Sequence, residues 1–150
     1  MNLQGSVQPI RYSDEGHVVL LDQTRLPHDE VYHTYTTAKD VAEAITTMIV
    51  RGAPAIGVTA ALGIAMEAKR LAGHRPIRDE LPEVFAQMAD TRPTAVNLFW
   101  AIERMKRVAD LDRRLSELHD QLGALRNQNE RRVGELRNEL MEKKKDGSEY

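Results

Sequence analysis

The feature that most constrains this chain is where its prolines stop. Five of the six prolines fall between Pro27 and Pro93, the sixth is Pro9, and none follows Pro93. Proline interrupts a helix interior because it lacks the N–H and its ring clashes with the preceding turn. The front of the chain is therefore cut into short elements, while the back is open to one long helix. Charge divides in the same way. The 41 residues from Asp110 to Tyr150 hold 10 acidic and 9 basic side chains. Two parts are expected: a globular segment over residues 1-108, and a charged, coiled-coil-like helix with a frayed tail over 109-150.

Within the front, Ile10-Arg11-Tyr12-Ser13 and His17-Val18-Val19-Leu20-Leu21 read as two strands. Asp14-Glu15-Gly16 between them has the glycine that a tight hairpin loop needs. Asp22 to Pro27 reads as a loop in which Asp22 caps the turn, a chemical role for its carboxylate being the alternative, and Val31 to Tyr35 as a third strand. Thr37-Ala38-Lys39-Asp40 has the spacing of a helix amino-terminal cap. Val41, Ala44, Ile45, Met48 and Ile49 then share one helical face, with Arg51-Gly52 as the expected stop. Pro54 opens the next helix, which runs to about Leu71 and is dense in alanine and glycine. Such low side-chain bulk predicts a central helix packed closely by its neighbours. Gly73-His74-Arg75-Pro76 reads as a loop, Pro82 as the start of a short helix, and Thr91-Arg92-Pro93-Thr94 as the start of the last one. In that helix the apolar positions are Val96, Leu98, Phe99, Trp100, Ile102 and Met105, and Asn97 reads as a satisfied polar group between helices, a ligand role being the alternative. The expected fold class is α+β: a small amino-terminal β-sheet, then a helical bundle, ending in a long helix suited to a coiled coil.

Several chemistries are excluded or unsupported. With no cysteine there is no disulfide scaffold, no thiolate metal site and no cysteine nucleophile. The five histidines lack the four-residue spacing of a helical metal pair, so no metal ligand is assigned. No glycine-rich phosphate loop and no nucleophile elbow occurs. A formal net charge of −2 argues against a nucleic-acid surface. The absence of a long apolar run or a charged-then-apolar leader argues against a membrane span or a signal peptide, leaving the cytoplasm as the expected location. What remains are two similar junctions, Arg51-Gly52-Ala53-Pro54 and Arg92-Pro93. Each puts a guanidinium just before an expected helix start, where unpaired N–H groups and the helix dipole favour an anion. The alternative is that both arginines are merely solvated.

Three blocks resemble one known family. They are Leu21-Asp22-Gln23-Thr24-Arg25-Leu26-Pro27, the run from Met48 to Gly57, and Thr91-Arg92-Pro93-Thr94-Ala95-Val96-Asn97-Leu98. In this order they resemble the methylthioribose-1-phosphate isomerases, whose superfamily also holds regulatory subunits of the translation-initiation exchange factor. The resemblance covers about residues 1-108 and fades after Met105. It implies an aldose–ketose isomerase of methionine salvage that takes 5-methylthioribose 1-phosphate to 5-methylthioribulose 1-phosphate without metal or nucleotide cofactor. It also implies substrate contacts from Arg51, Gly52, Ala53 and Arg92. The family's catalytic cysteine and aspartate, and its main dimer contacts, belong to a second, Rossmann-like domain. The resemblance assigns no catalytic residue to this chain, which by itself is expected to be inactive and to bind the sugar phosphate weakly. A truncated, split or fused isomerase, served by a partner that supplies the catalytic domain, is one expectation.

The back carries a different pattern. Leu111, Leu115, Leu118, Leu122 and Leu125 alternate spacings of four and three, as in a coiled-coil seam. The seam meets Asn129 and resumes at Val133, Leu136 and Leu140 after a four-residue stutter. Acidic residues interleave the basic ones throughout, which disfavours a DNA-reading helix. Self-association through this helix is expected; the alternative is a single amphipathic helix folded onto the front. The second functional expectation is thus a noncatalytic interaction or oligomerisation protein built from the same head and a coiled coil.

Overall fold

The computed structural model describes residues 7–72 and 77–147. The expected loop Gly73-His74-Arg75-Pro76 and the last three residues of the tail expected to fray lie outside the described residues. Two compact units result, Met1–Val108 and Ala109–Tyr150.

The first unit opens with a three-stranded antiparallel sheet in the order β1-β2-β3, formed by Ile10–Tyr12, Val18–Leu21 and Tyr32–Tyr35. Gly16, at φ 88°, makes the hairpin turn, and the Ser13 and His17 backbones close it. Strand β2 pairs with both neighbours, Ile10 opposite Leu20 and Leu20 opposite His33. Being central, it buries Val18, Leu20 and Leu21 in the core.

Helix α1, Ala38–Thr46, starts where the cap predicts. The Thr37 hydroxyl accepts from the Asp40 N–H and donates to the Asp40 carboxylate. Its end differs from the expectation. The helix stops at Thr46, before Arg51-Gly52, because Met48 takes φ 63°. The Met48 N–H then bonds the Ile45 carbonyl and the Ile49 N–H bonds that of Ala44, a left-handed helix stop usually made by glycine. Met48 consequently leaves the buried face and is 44% exposed, while Val41, Ala44 and Ile45 remain buried.

Helix α2, Ala53–Leu71, matches its expected span and its central place. It touches α1, β1 and β2, and also α3, Ile77–Asp90. The small residues are what permit this. A Cβ on Gly63 would stand 2.9 Å from Val41 Cγ1 and 2.8 Å from Met88 Cε. Glu67 of α2 is buried and accepts the Ala38 N–H at 2.9 Å, tying α2 to the first turn of α1. Arg70 Nε donates to the same carboxylate at 3.0 Å. Helix α3 starts before Pro82, which lies inside it and does not open it. Only the bond to the residue 78 carbonyl is lost, and Leu81, Val84, Phe85 and Met88 hold the helix by burial.

Helix α4, Val96–Asp146, begins later than Thr91-Arg92-Pro93-Thr94 predicts. Those residues form a turn, closed by the Ala95 N–H on the Arg92 carbonyl at 3.0 Å. Of the expected apolar positions, Leu98 and Ile102 are buried, joined by Ala101. Val96, Phe99 and Trp100 are exposed. The second unit is the remainder of α4 and the chain end. Its helix is held by its own ion pairs, Arg113 to Asp110 and Glu117, Arg114 to Asp110, and Arg126 to Glu130.

Candidate functional site

Gly52 sets the first half of the candidate site. It caps the amino terminus of α2 at φ 94° and ψ 134°, a backbone shape that essentially only glycine adopts. No side chain caps this helix end and its first turn holds no acid. A Cβ on Gly52 would meet nothing within 4 Å, so the approach to the helix end is open. Arg51, Gly52 and Ala53 are all exposed. Arg51 makes no hydrogen bond or ion pair among the described residues, so its guanidinium is available to an anion.

The second half begins at Arg92, which is half-buried and likewise has no carboxylate partner among the described residues. Its setting is a turn four residues ahead of α4, not the helix start that Arg92-Pro93 predicts. Yet the two halves belong to adjoining helix ends. A Cβ on Gly57 would lie 2.9 Å from the backbone oxygen of Asn97. Gly57 stands about 6 Å along the axis from Ala53 at 1.5 Å per residue, and Asn97 is in the first turn of α4. The close crossing sits about one turn inside α2 and within the first turn of α4. Asn97 is half-buried and its side-chain amide makes no hydrogen bond to the described residues, leaving it accessible to solvent.

Among the described residues two buried carboxylates lie elsewhere in the unit, and neither suits proton donation near neutral pH. Asp22 accepts the Thr24 hydroxyl at 2.6 Å and the Thr24 N–H at 3.0 Å, the turn-capping role that its loop predicts. His33 Nε2 stands 3.2 Å from the other Asp22 oxygen. The Thr24 hydroxyl foremost, then its N–H and His33, hold the Asp22 carboxyl below its ordinary range against the opposing effect of burial. For Glu67, burial pushes the pKa up, but Arg70 and the Ala38 N–H outweigh it and the net shift is downward. Both groups stay ionised and are occupied in holding the backbone, whereas a general acid needs a pKa near the working pH. His33 is thus engaged by Asp22 across the sheet end. That pairing depends on the β2–β3 register, and the only sequence signal for it was the expected third strand.

A shallow polar cleft lies between β3 and α1, bordered by His33, Tyr35, Asp40, Glu43, Thr47 and Ile49. Neither arginine lines it. Among the described residues no three His, Asp or Glu side chains gather as metal ligands. No helix there is long and apolar enough to cross a membrane.

Comparison with known proteins adds an independent line. A family model described as the initiation factor 2 subunit family matches residues 49–146, beyond Met105 where the motif resemblance fades. The chain is 56% identical over 110 residues to methylthioribose-1-phosphate isomerase of Geotalea uraniireducens, a match covering 72% of this chain and 32% of the relative. Its fold is similar to the crystal structure of 5-methylthioribose 1-phosphate isomerase from Pyrococcus horikoshii OT3. That likeness has a TM-score of 0.64 at 31% identity, covering 73% of this chain and 33% of the other. It is also similar to translation initiation factor eIF-2B, subunit delta, from A. fulgidus, with a TM-score of 0.54 at 39% identity. Coverage there is 66% of this chain and 29% of the other. The chain thus spans about a third of the length of the proteins it matches.

Proposed function

The chain belongs to the initiation factor 2 subunit family, and from that premise we propose that its first unit is the substrate-binding part of a methylthioribose-1-phosphate isomerase. The reading assigns it to methionine salvage in the cytoplasm. Arg51 and Arg92 would pair with the substrate phosphate, and the Gly52 and Ala53 backbone would meet it at the open end of α2. The observation that carries the reading is the Gly57–Asn97 crossing, which brings the first turns of α2 and α4 together, with an arginine unpaired among the described residues shortly before each. Matches at 56% identity to an isomerase support the choice of substrate. Turnover is assigned to the part of the relatives that these residues do not match. The chain has no cysteine, and the two buried carboxylates among its described residues are held ionised.

The test is calorimetric titration with 5-methylthioribose 1-phosphate. A charge-assisted hydrogen bond contributes about 1.5–3 kcal/mol, so each arginine accounts for roughly a tenfold change in affinity or more. The unaltered protein binds and the Arg51→Ala, Arg92→Ala double variant does not. Equal binding by the two proteins, or none by either, removes the proposal's support.

A second reading, a noncatalytic interaction protein, is favoured by one observation. Eight apolar side chains of α4, from Leu111 to Leu140, lie between 42 and 67% exposed along a single seam.

A further inference from the structure

We infer that the second unit pairs with a second copy of this chain as a parallel, in-register, two-stranded coil that aligns Asn129 with its own counterpart. The inference rests on the second reading above and not on the isomerase reading.

The seam itself fixes the heptad phase. Leu115 and Leu122 take the first core position of their heptads and Leu111, Leu118 and Leu125 the second. Asn129 then falls at a first position, where a polar residue sets register and favours two strands. Leu122, Leu125, Asn129 and Val133, flanked by Arg126 and Glu130, border one groove on the helix surface, so the asparagine lies along the apolar stripe. In a coil its amide would be withdrawn from water, and an unpaired buried amide is costly. A second asparagine amide at the same level supplies both a donor and an acceptor.

Beyond Asn129 the spacing changes. Leu122 and Val133, Leu125 and Leu136, and Asn129 and Leu140 are each eleven residues apart, so the stripe locally follows an eleven-residue repeat and the supercoil unwinds there. Only a partner with the same discontinuity at the same level keeps its core in step. A second copy does so by identity.

Direction is decided at the ends of the seam. The spacing from Leu118 to Leu140 is symmetric about Asn129, so an antiparallel pair centred there also matches those positions. That arrangement sets Leu111 against Gly147 and Leu115 against Lys143, and it opposes Arg126 with Arg132. The parallel arrangement matches all eight apolar residues with their own counterparts and sets Glu139 beside the second copy's Lys144. Its one like-charged approach, Arg132 to Arg137, is softened because Arg132 already pairs with Glu135 at 3.1 Å. The eight side chains offer on the order of 800 Å² per helix, one side of a standard stable interface.

The chain has no cysteine, so single-cysteine variants of the full protein report distances without background. Light scattering on the unaltered protein is expected to give the mass of two chains, and a mass of one or three overturns the inference. Under mild oxidation Asn129→Cys and Leu115→Cys are each expected to give a disulfide-linked dimer. If Leu115→Cys does not link to itself but links to Lys143→Cys in a mixture, the pair is antiparallel and the inference fails. Scattering on reduced Leu115→Cys guards against a variant that no longer pairs; Leu111→Cys, at the next core position, replaces it in that case and must link to itself. None of these readouts involves Arg51 or Arg92, so the phosphate titration stands or falls separately.

Discussion

Replacing Gly57 with alanine tests the contact on which the candidate site depends. The new Cβ would stand 2.9 Å from the Asn97 carbonyl oxygen, whereas ordinary contact begins at 3.4 Å. The obstacle is backbone, so relief requires α2 and α4 to part by roughly half an ångström, an overpacking that costs about 1–3 kcal/mol. Alanine returns about 1 kcal/mol of helix propensity. The net expectation is a loss of up to about 2 kcal/mol. Gly123 is the control, because a Cβ there meets nothing within 4 Å. Gly123→Ala should instead gain about 1 kcal/mol in helix stability. Urea unfolding is followed by the fluorescence of Trp100, the single tryptophan, for the first variant, and by helical circular dichroism for the second. Gly57→Ala should also weaken binding of 5-methylthioribose 1-phosphate, since it moves one helix end from the other. A gain in stability at Gly57 comparable to that at Gly123 would refute the close crossing.

Three further outcomes are expected. Met48→Gly should raise stability by up to about 1 kcal/mol by relieving the left-handed backbone at the end of α1; a clear loss in urea midpoint would show that the Met48 side chain matters more than its φ. Thr59 is fully buried and its hydroxyl lacks a partner among the described residues, so Thr59→Val should stabilise by about 1 kcal/mol in thermal unfolding, and destabilisation would show that the hydroxyl is satisfied. Asp22 and Glu67 both have lowered pKa values in the fold. The unfolded chain therefore takes up protons first as pH falls, and stability that is complete above the ordinary carboxylate range of about 3.9–4.3 is lost below it. The Asp22→Asn, Glu67→Gln variant should show a flatter acid limb in urea midpoint against pH, and an unchanged limb would sink the assignment.

Much of the first unit is legible in its sequence because its signals are local. Thr37 caps its own helix, Gly16 makes its own turn, and Asp22 closes a turn onto Thr24 two residues away. The boundaries that the sequence misplaces are those where a local rule meets a competing one. Met48 occupies the left-handed position that glycine normally takes, so the α1 stop carries no glycine signal until Gly52. Pro82 looks like a helix start, yet burial of Leu81, Val84, Phe85 and Met88 carries α3 past it. Pro93 likewise looks like a first helical residue, but the Ala95-to-Arg92 bond makes a turn and delays α4 to Val96. The partners of Glu67 and His33 are non-local: Ala38 is 29 residues from Glu67, and Asp22 is 11 from His33.

The candidate site shows the same division within single residues. Both arginines and Gly52 are visible in the sequence, but their neighbourhood is not, because it is created by a different glycine. At 100° per residue, Gly57 and Gly63 project about 120° apart around α2. One meets Asn97 of α4, the other Val41 of α1 and Met88 of α3. The helix is thus closely approached on two separated faces, by backbone at Gly57 and by side chains at Gly63. The amino terminus of α2 is therefore held against the start of α4 by contacts that carry no charge and touch no ligand. Anion affinity in this unit should accordingly respond to Gly57, whose only chemistry is the absence of a side chain, as well as to the arginines that would meet the phosphate.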